Sequence, residues 1–271
     1  MILYKYMSFN SAKAAIENSS IGFSCLEDLN DPFECSALCF EESEELASRL
    51  QFGAHFNRLS RKYGVLSLTR NPLNALMWAH YGDDHRGVVI GIDVEKAGLN
   101  DLANSVIPAK FGEIIYTSTI PRNHLPTSTT ESLMEVGIQS SSFHEDSYEL
   151  FKNAFLYKDL SWGYEEEVRI VKNIIDFNGG SRYKNYSYSN SAGNWFQIQH
   201  QGRPVSCLSI PPDSIVEVYL GCSNYKNVSR LGFDNTEYLS VREQWKNKGI
   251  DVKMIRRKEG SWNLEVSDFV V

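Results

Sequence analysis

The sequence has no CxxC pair and only five cysteines in 271 residues, at positions 25, 35, 39, 207 and 222. An odd number at irregular spacing argues against a disulfide framework and against a cysteine-built zinc site, and predicts independent thiols. No apolar run approaches the roughly 20 residues that a membrane-spanning helix needs. The first residues, MILYKYMSFN, lack the basic start, apolar stretch and small-residue cleavage site of a signal peptide, so a cytoplasmic location is expected. Positive charge is in deficit. Lys and Arg number 27 against 34 Asp and Glu, a net charge of −7, which speaks against non-specific nucleic-acid binding. Internal repeats and low-complexity segments are also absent.

What is present is an ordinary globular composition, 42% apolar and 23% charged, long enough for a sizeable core. No composition shift marks a linker, so residues 1–271 are read as one domain. Short apolar strands alternate with a few amphipathic helices. The expected class is α+β, a mixed and mostly antiparallel sheet core with helical insertions. Strands are expected at Leu3–Tyr6, Ile21–Ser24, Tyr63–Thr69, Gly87–Asp93, Tyr164–Val171, Trp195–Ile198, Val205–Ile210, Ile215–Leu220, Ile250–Ile255 and Trp262–Val266, with one or two more in 105–116. Helices are expected over Ala12–Asn18, Glu41–Lys62, Leu73–His80, Glu131–Tyr157 and Thr236–Lys248. Pro-, Ser- and Thr-rich residues 118–130 read as a loop, and Asn178-Gly179-Gly180 as a turn.

Met77–Gly87, MWAHYGDDHRG, is the densest polar and aromatic stretch. Asn71-Pro72 can start the helix before it. A turn at Gly82-Asp83-Asp84 would gather His80, Tyr81, Asp83 and His85 beside the strand that follows. In Leu3-Tyr4-Lys5-Tyr6, strand alternation puts Lys5 on the face opposite the two tyrosines. Asn30-Asp31-Pro32-Phe33 is a strong turn signal, read either as a ligand-lining loop or as a rigid turn with Phe33 in the core. The three glutamates Glu165–Glu167 put Glu165 and Glu167 on one face, with Arg169 as the obvious partner of Glu167. Acids facing a core are costly unless paired or functional. Arg242, Lys246, Lys248, Lys253, Arg256, Arg257 and Lys258 form a basic stretch, interrupted by Glu243 and Asp251. It reads as a phosphate-facing patch or as a solvated surface.

Leu3–Tyr6, Phe23-Ser24, Leu29–Glu34, Met77–Tyr81, His85–Gly87 and Tyr164–Ile170 occur in that order. Together they resemble the bacterial domain-of-unknown-function 2971 family over about residues 3–220, with 225–271 packed on that region. Met7-Ser8 departs from it, standing where a charged residue is expected. A second resemblance, in layout, is to ADP-ribosyltransferase folds. Those carry a polar residue on a first strand, a small hydroxyl or aromatic residue on a later one, and a glutamate on a still later one; here Tyr4–Tyr6, Phe23-Ser24 and Glu165-x-Glu167 match.

This resemblance implies an NAD-dependent ADP-ribosyltransferase or an NAD hydrolase, with NAD as substrate, no structural metal, and a nucleic-acid or protein acceptor. A toxin or phage-defence role and no membrane partner go with it. Glu167 would stabilise the cationic sugar and Glu165 would orient the acceptor. Tyr81 or Tyr6 would stack on nicotinamide, Arg169 or Lys5 would meet the pyrophosphate, and His80 would bond a ribose hydroxyl. Tyr4, Ser24, Asn30 and Asp31 complete the cofactor-binding set. Two other readings stand beside it. One is a metal-dependent nuclease or hydrolase using His80, Asp83, Asp84 and His85, with Glu165 or Glu167 as base. The other is a non-catalytic binding module.

Overall fold

A computed structural model describes residues 1–40, 57, 59–121, 124–125, 141–176, 185–200, 202–223 and 235–267. The expectations for 178–180, and for most of 41–58 and 126–140, lie outside the described residues. The fold is α+β. Numbered in chain order, a seven-stranded sheet runs β15 (Leu264–Ser267), β14 (Asp251–Arg257), β13 (Ile215–Leu220), β5 (Val88–Asp93), β1 (Ile2–Met7), β4 (Tyr63–Thr69) and β9 (Glu167–Asn173). Its pairings are antiparallel except β13 with β14. A second, wholly antiparallel sheet has the order β10 (Tyr186–Asn190), β11 (Gly193–His200), β12 (Arg203–Ser209) and β2 (Ser20–Phe23). Two short parallel pairs, β3 (Cys39–Phe40) with β7 (His124–Leu125) and β6 (Ile115–Thr117) with β8 (Tyr157–Asp159), complete it.

Alternation along the strands sorts the core into faces. Leu66, Leu68, Val88, Ile90, Ile92, Val168 and Ile170 point to one side. There they meet α1 (Phe9–Glu17), the second sheet through Phe23 and Trp195, and Trp245 of α4 (Asn235–Asn247). The other side carries two separate apolar clusters. Tyr6, Trp78 and Val89 pack near α2 (Ala75–His80), while Tyr63, Val65 and Val171 pack on Leu150, Phe151 and Phe155 of α3 (Glu145–Phe155). The polar residues described below lie between these two clusters.

Helix starts follow side-chain capping. Ser8 caps α1 by accepting from the Ser11 amide. Asn74, not Asn71, caps α2 by accepting from the Leu76 and Met77 amides. Asn71 instead closes a turn, accepting from the Leu73 amide at 2.9 Å. The Gly82–Arg86 turn depends on three successive left-handed residues, Asp83, Asp84 and His85, with φ of 49°, 52° and 64°. Asp is among the few side chains that tolerate this region. Phe33 is 61% exposed, which corrects the reading that it plugs the core. Among the described residues no helix is long and apolar enough to cross a membrane.

Candidate functional site

The main sheet is nearly interrupted between β1 and β4. β1 pairs with β5 at six positions but with β4 at Tyr4–Thr69 alone. A cavity of about 170 Å³ lies beside this gap. From β1 it takes Tyr4, Lys5 and Tyr6; from the next turn, Ser24, Asn30 and Glu34; from α2 and its C-cap, Met77 and Tyr81; from the end of the chain's middle third, Lys158, Glu165, Glu167 and Arg169. Strand alternation puts Lys5 opposite the two tyrosines, yet all three line one cavity because the gap is reached from either side of β1.

The cavity floor is a buried chain of charges. Arg169, 1% exposed, donates to Glu34 twice, from Nη1 and Nη2 at 2.6 Å each. It also donates from Nε to Glu167 Oε1 at 2.8 Å, from Nη2 to Glu167 Oε2 at 3.3 Å, and from Nη1 to the Phe155 carbonyl at 2.8 Å. A guanidinium has five donors, and all are used. Lys158 Nζ then bridges Glu167 at 3.2 Å and Glu165 at 2.6 Å and lies 4.6 Å from the centre of the Trp162 ring. Glu165 Oε1 accepts from the Tyr81 hydroxyl at 2.7 Å, which in turn accepts from Asn30 Nδ2 at 3.0 Å.

Local backbone explains why two glutamates turn inward and one does not. Residues Leu160–Glu165 form a 3₁₀ turn, Glu166 is left-handed with φ of 46°, and the strand starts only at Glu167. Glu165 and Glu167 are buried, while Glu166 stays exposed and accepts from Asn71 Nδ2 at 3.3 Å. The shared orientation was expected from strand alternation; a kink produces it. Gly112 helps to fix β9, since a Cβ there would stand 1.8 Å from the Arg169 carbonyl oxygen.

Burial alone would raise the Glu167 carboxyl. The charges of Arg169 and Lys158, with hydrogen bonds from Arg169 and Ser67, outweigh it and hold the group at about 2. Arg169 is raised well above its ordinary value, as Glu167 and Glu34 overcome the cost of burial. Burial, then Glu165, push the Tyr81 hydroxyl upward. Lys5 differs from the other cations. Burial lowers it to about 8, offset in part by Glu167. Its only bonding partner among the described residues is the Ser67 carbonyl at 3.3 Å. Three carboxylates (Glu34, Glu165, Glu167) face two paired cations (Lys158, Arg169), a formal net of −1; Lys5 brings the cavity to zero.

The structure brings together Tyr4, Lys5, Tyr6, Ser24, Asn30, Tyr81, Glu165, Glu167 and Arg169 from the expected set. Tyr6 is held by its own contacts, donating to the Asn71 carbonyl at 2.8 Å and accepting from the Asn74 amide at 3.2 Å. Two residues do not join. His80 is exposed and absent from the cavity wall, its ring 6.3 Å from those of Tyr81 and Tyr164. Asp31 is buried but serves the turn, accepting from the Phe33 amide at 2.9 Å. The pyrophosphate role expected of Arg169 is also corrected, because no donor remains to it. Asp83 and Asp84 reach Arg86 at 3.2 and 3.0 Å, so this turn is closed by an ion pair. Among the described residues, the His/Cys/Asp/Glu group whose ligand atoms gather is Cys25, Glu27 and Asp28. Sequence reasoning missed Glu34, Lys158 and Ser67. A lone lysine seven and nine residues before two acids was the available signal for Lys158.

Residues 77–170 match the family described as "Protein of unknown function (DUF2971)". This stretch of the chain is a DUF2971 region. It supplies Met77, Tyr81, Lys158, Glu165, Glu167 and Arg169 to the cavity, while Tyr4–Tyr6, Ser24, Asn30 and Glu34 come from outside it. No curated protein and no solved structure matches the chain.

Proposed function

We propose that the cavity receives the ribose–nicotinamide end of NAD and breaks the bond between sugar and base, as an ADP-ribosyltransferase or NAD hydrolase does. The observation that carries this reading is a convergence. The polar start of β1, Ser24, and the acids that open β9 meet at one cavity whose fixed pairs carry a net −1. Breaking that bond builds positive charge on the sugar, and carboxylates already fixed in place stabilise it without reorganising. Glu165 and Glu167 are held by Lys158 and Arg169, so they need no further ordering when substrate arrives. Tyr4 and Tyr81 offer aromatic surface for the nicotinamide ring. The cavity, at about 170 Å³, is smaller than the ~300–1,000 Å³ of sites that enclose a whole drug-sized ligand. It therefore suits the reacting end of a dinucleotide. A cytoplasmic toxin or phage-defence effector acting on a nucleic-acid or protein acceptor would be a fitting setting for such an activity.

The test is nicotinamide release from NAD, alone and with bacterial lysate or nucleic acid. Glu167→Gln is expected to lower release by roughly 10²–10³-fold while His80→Ala, on the exposed neighbour of the site, leaves it unchanged. Release that survives Glu167→Gln rejects this site as the place where the bond is broken, and none from the unaltered protein under any condition rejects the reaction and leaves a binding pocket.

A further inference from the structure

Lys158 and Arg169 are the obvious cations of this cavity, but all five Arg169 donors are spent and Lys158 is already paired with both Glu165 and Glu167. Lys5 can take a ligand anion. No carboxylate lies within ion-pair distance of its ammonium among the described residues. It spends one hydrogen bond on the Ser67 carbonyl at 3.3 Å, and an ammonium has three donors. It lines the cavity one residue along β1 from the single β1–β4 pair. Lys5 is half-buried at the cavity wall, and its two unspent donors can meet an anion that enters. We infer that Lys5 is the phosphate anchor of this cavity, and that its ligand is a sugar phosphate or nucleotide diphosphate. The inference deepens the NAD reading and rests on it for the choice of nucleotide.

The electrostatics give the anchor a second consequence. Without ligand, Lys5 offsets the net −1 of Glu34, Glu165, Glu167, Lys158 and Arg169. A phosphate on Lys5 takes up that positive charge, and the acids then face the bound sugar uncompensated. Seating the phosphate thus prepares the site for a cationic transition state.

The groups facing Lys5 decide how to test this. Tyr6 and Tyr81 are pushed upward and Glu167 is held at about 2. Lys5, lowered to about 8 by burial, is thus the cavity group whose shift places its titration between pH 7 and 9. Lys172, also lowered to about 8, donates to the Asn104 and Gly98 carbonyls outside the cavity. ADP-ribose is the probe, because its pyrophosphate is esterified at both ends and has no group that titrates in this range. Calorimetric affinity for ADP-ribose is expected to fall about tenfold from pH 7 to pH 9, following the loss of charged Lys5. Lys5→Met, which keeps most of the side-chain length, is expected to bind at least tenfold more weakly at pH 7, with no change by pH 9. Equal affinity at both pH values in the unaltered protein overturns the anchor, and this measurement stands even where Lys5→Met does not fold. Equal binding by folded Lys5→Met overturns it too, as does a failure of ADP-ribose to bind. Pronounced, pH-dependent binding without nicotinamide release keeps the anchor and rejects the NAD reaction; release without that pH dependence does the reverse.

Discussion

Arg169→Met removes the centre of the buried charge chain and leaves a side chain of similar length. Five hydrogen bonds go with it. The larger effect is on the partners: Glu34 and Glu167 are left buried, with Lys158 and the Ser67 hydroxyl still reaching Glu167. Removing one member of a buried pair costs ~3–5 kcal/mol, a large share of the ~5–15 kcal/mol that keeps a typical domain folded. The cost should depend on pH. Glu167 is lowered from 4.5 to about 2 in the folded protein, so its contribution, ~3 kcal/mol by linkage, is fully present above 4.5. It is lost as pH falls from 4.5 towards 2. In Arg169→Met the stranded acids relieve their burial by taking up protons, so the deficit closes on acidification. Urea unfolding at pH 7 and at pH 3–4 measures both. The expected result is a loss of ~3–5 kcal/mol at pH 7 that shrinks by at least half in acid. Adding Glu34→Gln to Arg169→Met should recover part of the neutral-pH loss, since one stranded charge is gone. A loss below ~1 kcal/mol, or one of equal size at both pH values, would refute the argument.

Two further outcomes follow from features near the site. Gly112→Ala places a Cβ 1.8 Å from the Arg169 carbonyl oxygen, so backbone must move; thermal unfolding should show a loss of at least ~2 kcal/mol, and an unchanged midpoint would mean that residues 111–113 shift freely. Lys172 is 1% exposed and lowered to about 8 by burial, against a model-peptide value of 10.5. The unfolded chain therefore holds a proton there that the folded chain has lost, and this group makes stability rise with pH between 8 and 10.5. Lys172→Met should remove ~1–2 kcal/mol of the stability gained between pH 8 and 9.5, read from urea midpoints at the two values; an identical slope in both proteins would exclude it.

The sheet was legible where burial on both faces writes a continuous apolar run. Tyr63–Thr69 and Ile215–Leu220 end where expected, because turn residues bound them and β-branched and aromatic residues fill them. The strand expected from Tyr164 begins at Glu167. Residues 160–165 carry strand-like composition, but Asp159 accepts from the Ser161 amide at 2.9 Å and starts a 3₁₀ turn. The convergence of the β1 tyrosines with Glu165 and Glu167 was implied by the resemblance in strand layout. The pairings within it were not. A partner two residues away, such as Arg169 for Glu167, is visible in sequence; Glu34 is fixed only by tertiary structure. Lys158 sits on a three-residue strand with no periodicity to mark it. His80 was misplaced through its neighbour, since adjacent helical residues point about 100° apart. Tyr81 turns inward and His80 turns out.

The tie between Glu34 and Arg169 spans 135 residues of chain. Contacts so distant in sequence form only after large loops have closed, and they slow folding in proportion. Neither half of the chain can assemble the cavity by itself. While the protein is being made, β1 and Glu34 emerge with no counter-ion, and their charges stay hydrated until β9 arrives. A cavity of this construction is incomplete in every chain that still lacks β9. Under the NAD reaction proposed above, that ordering would confine activity to the finished molecule.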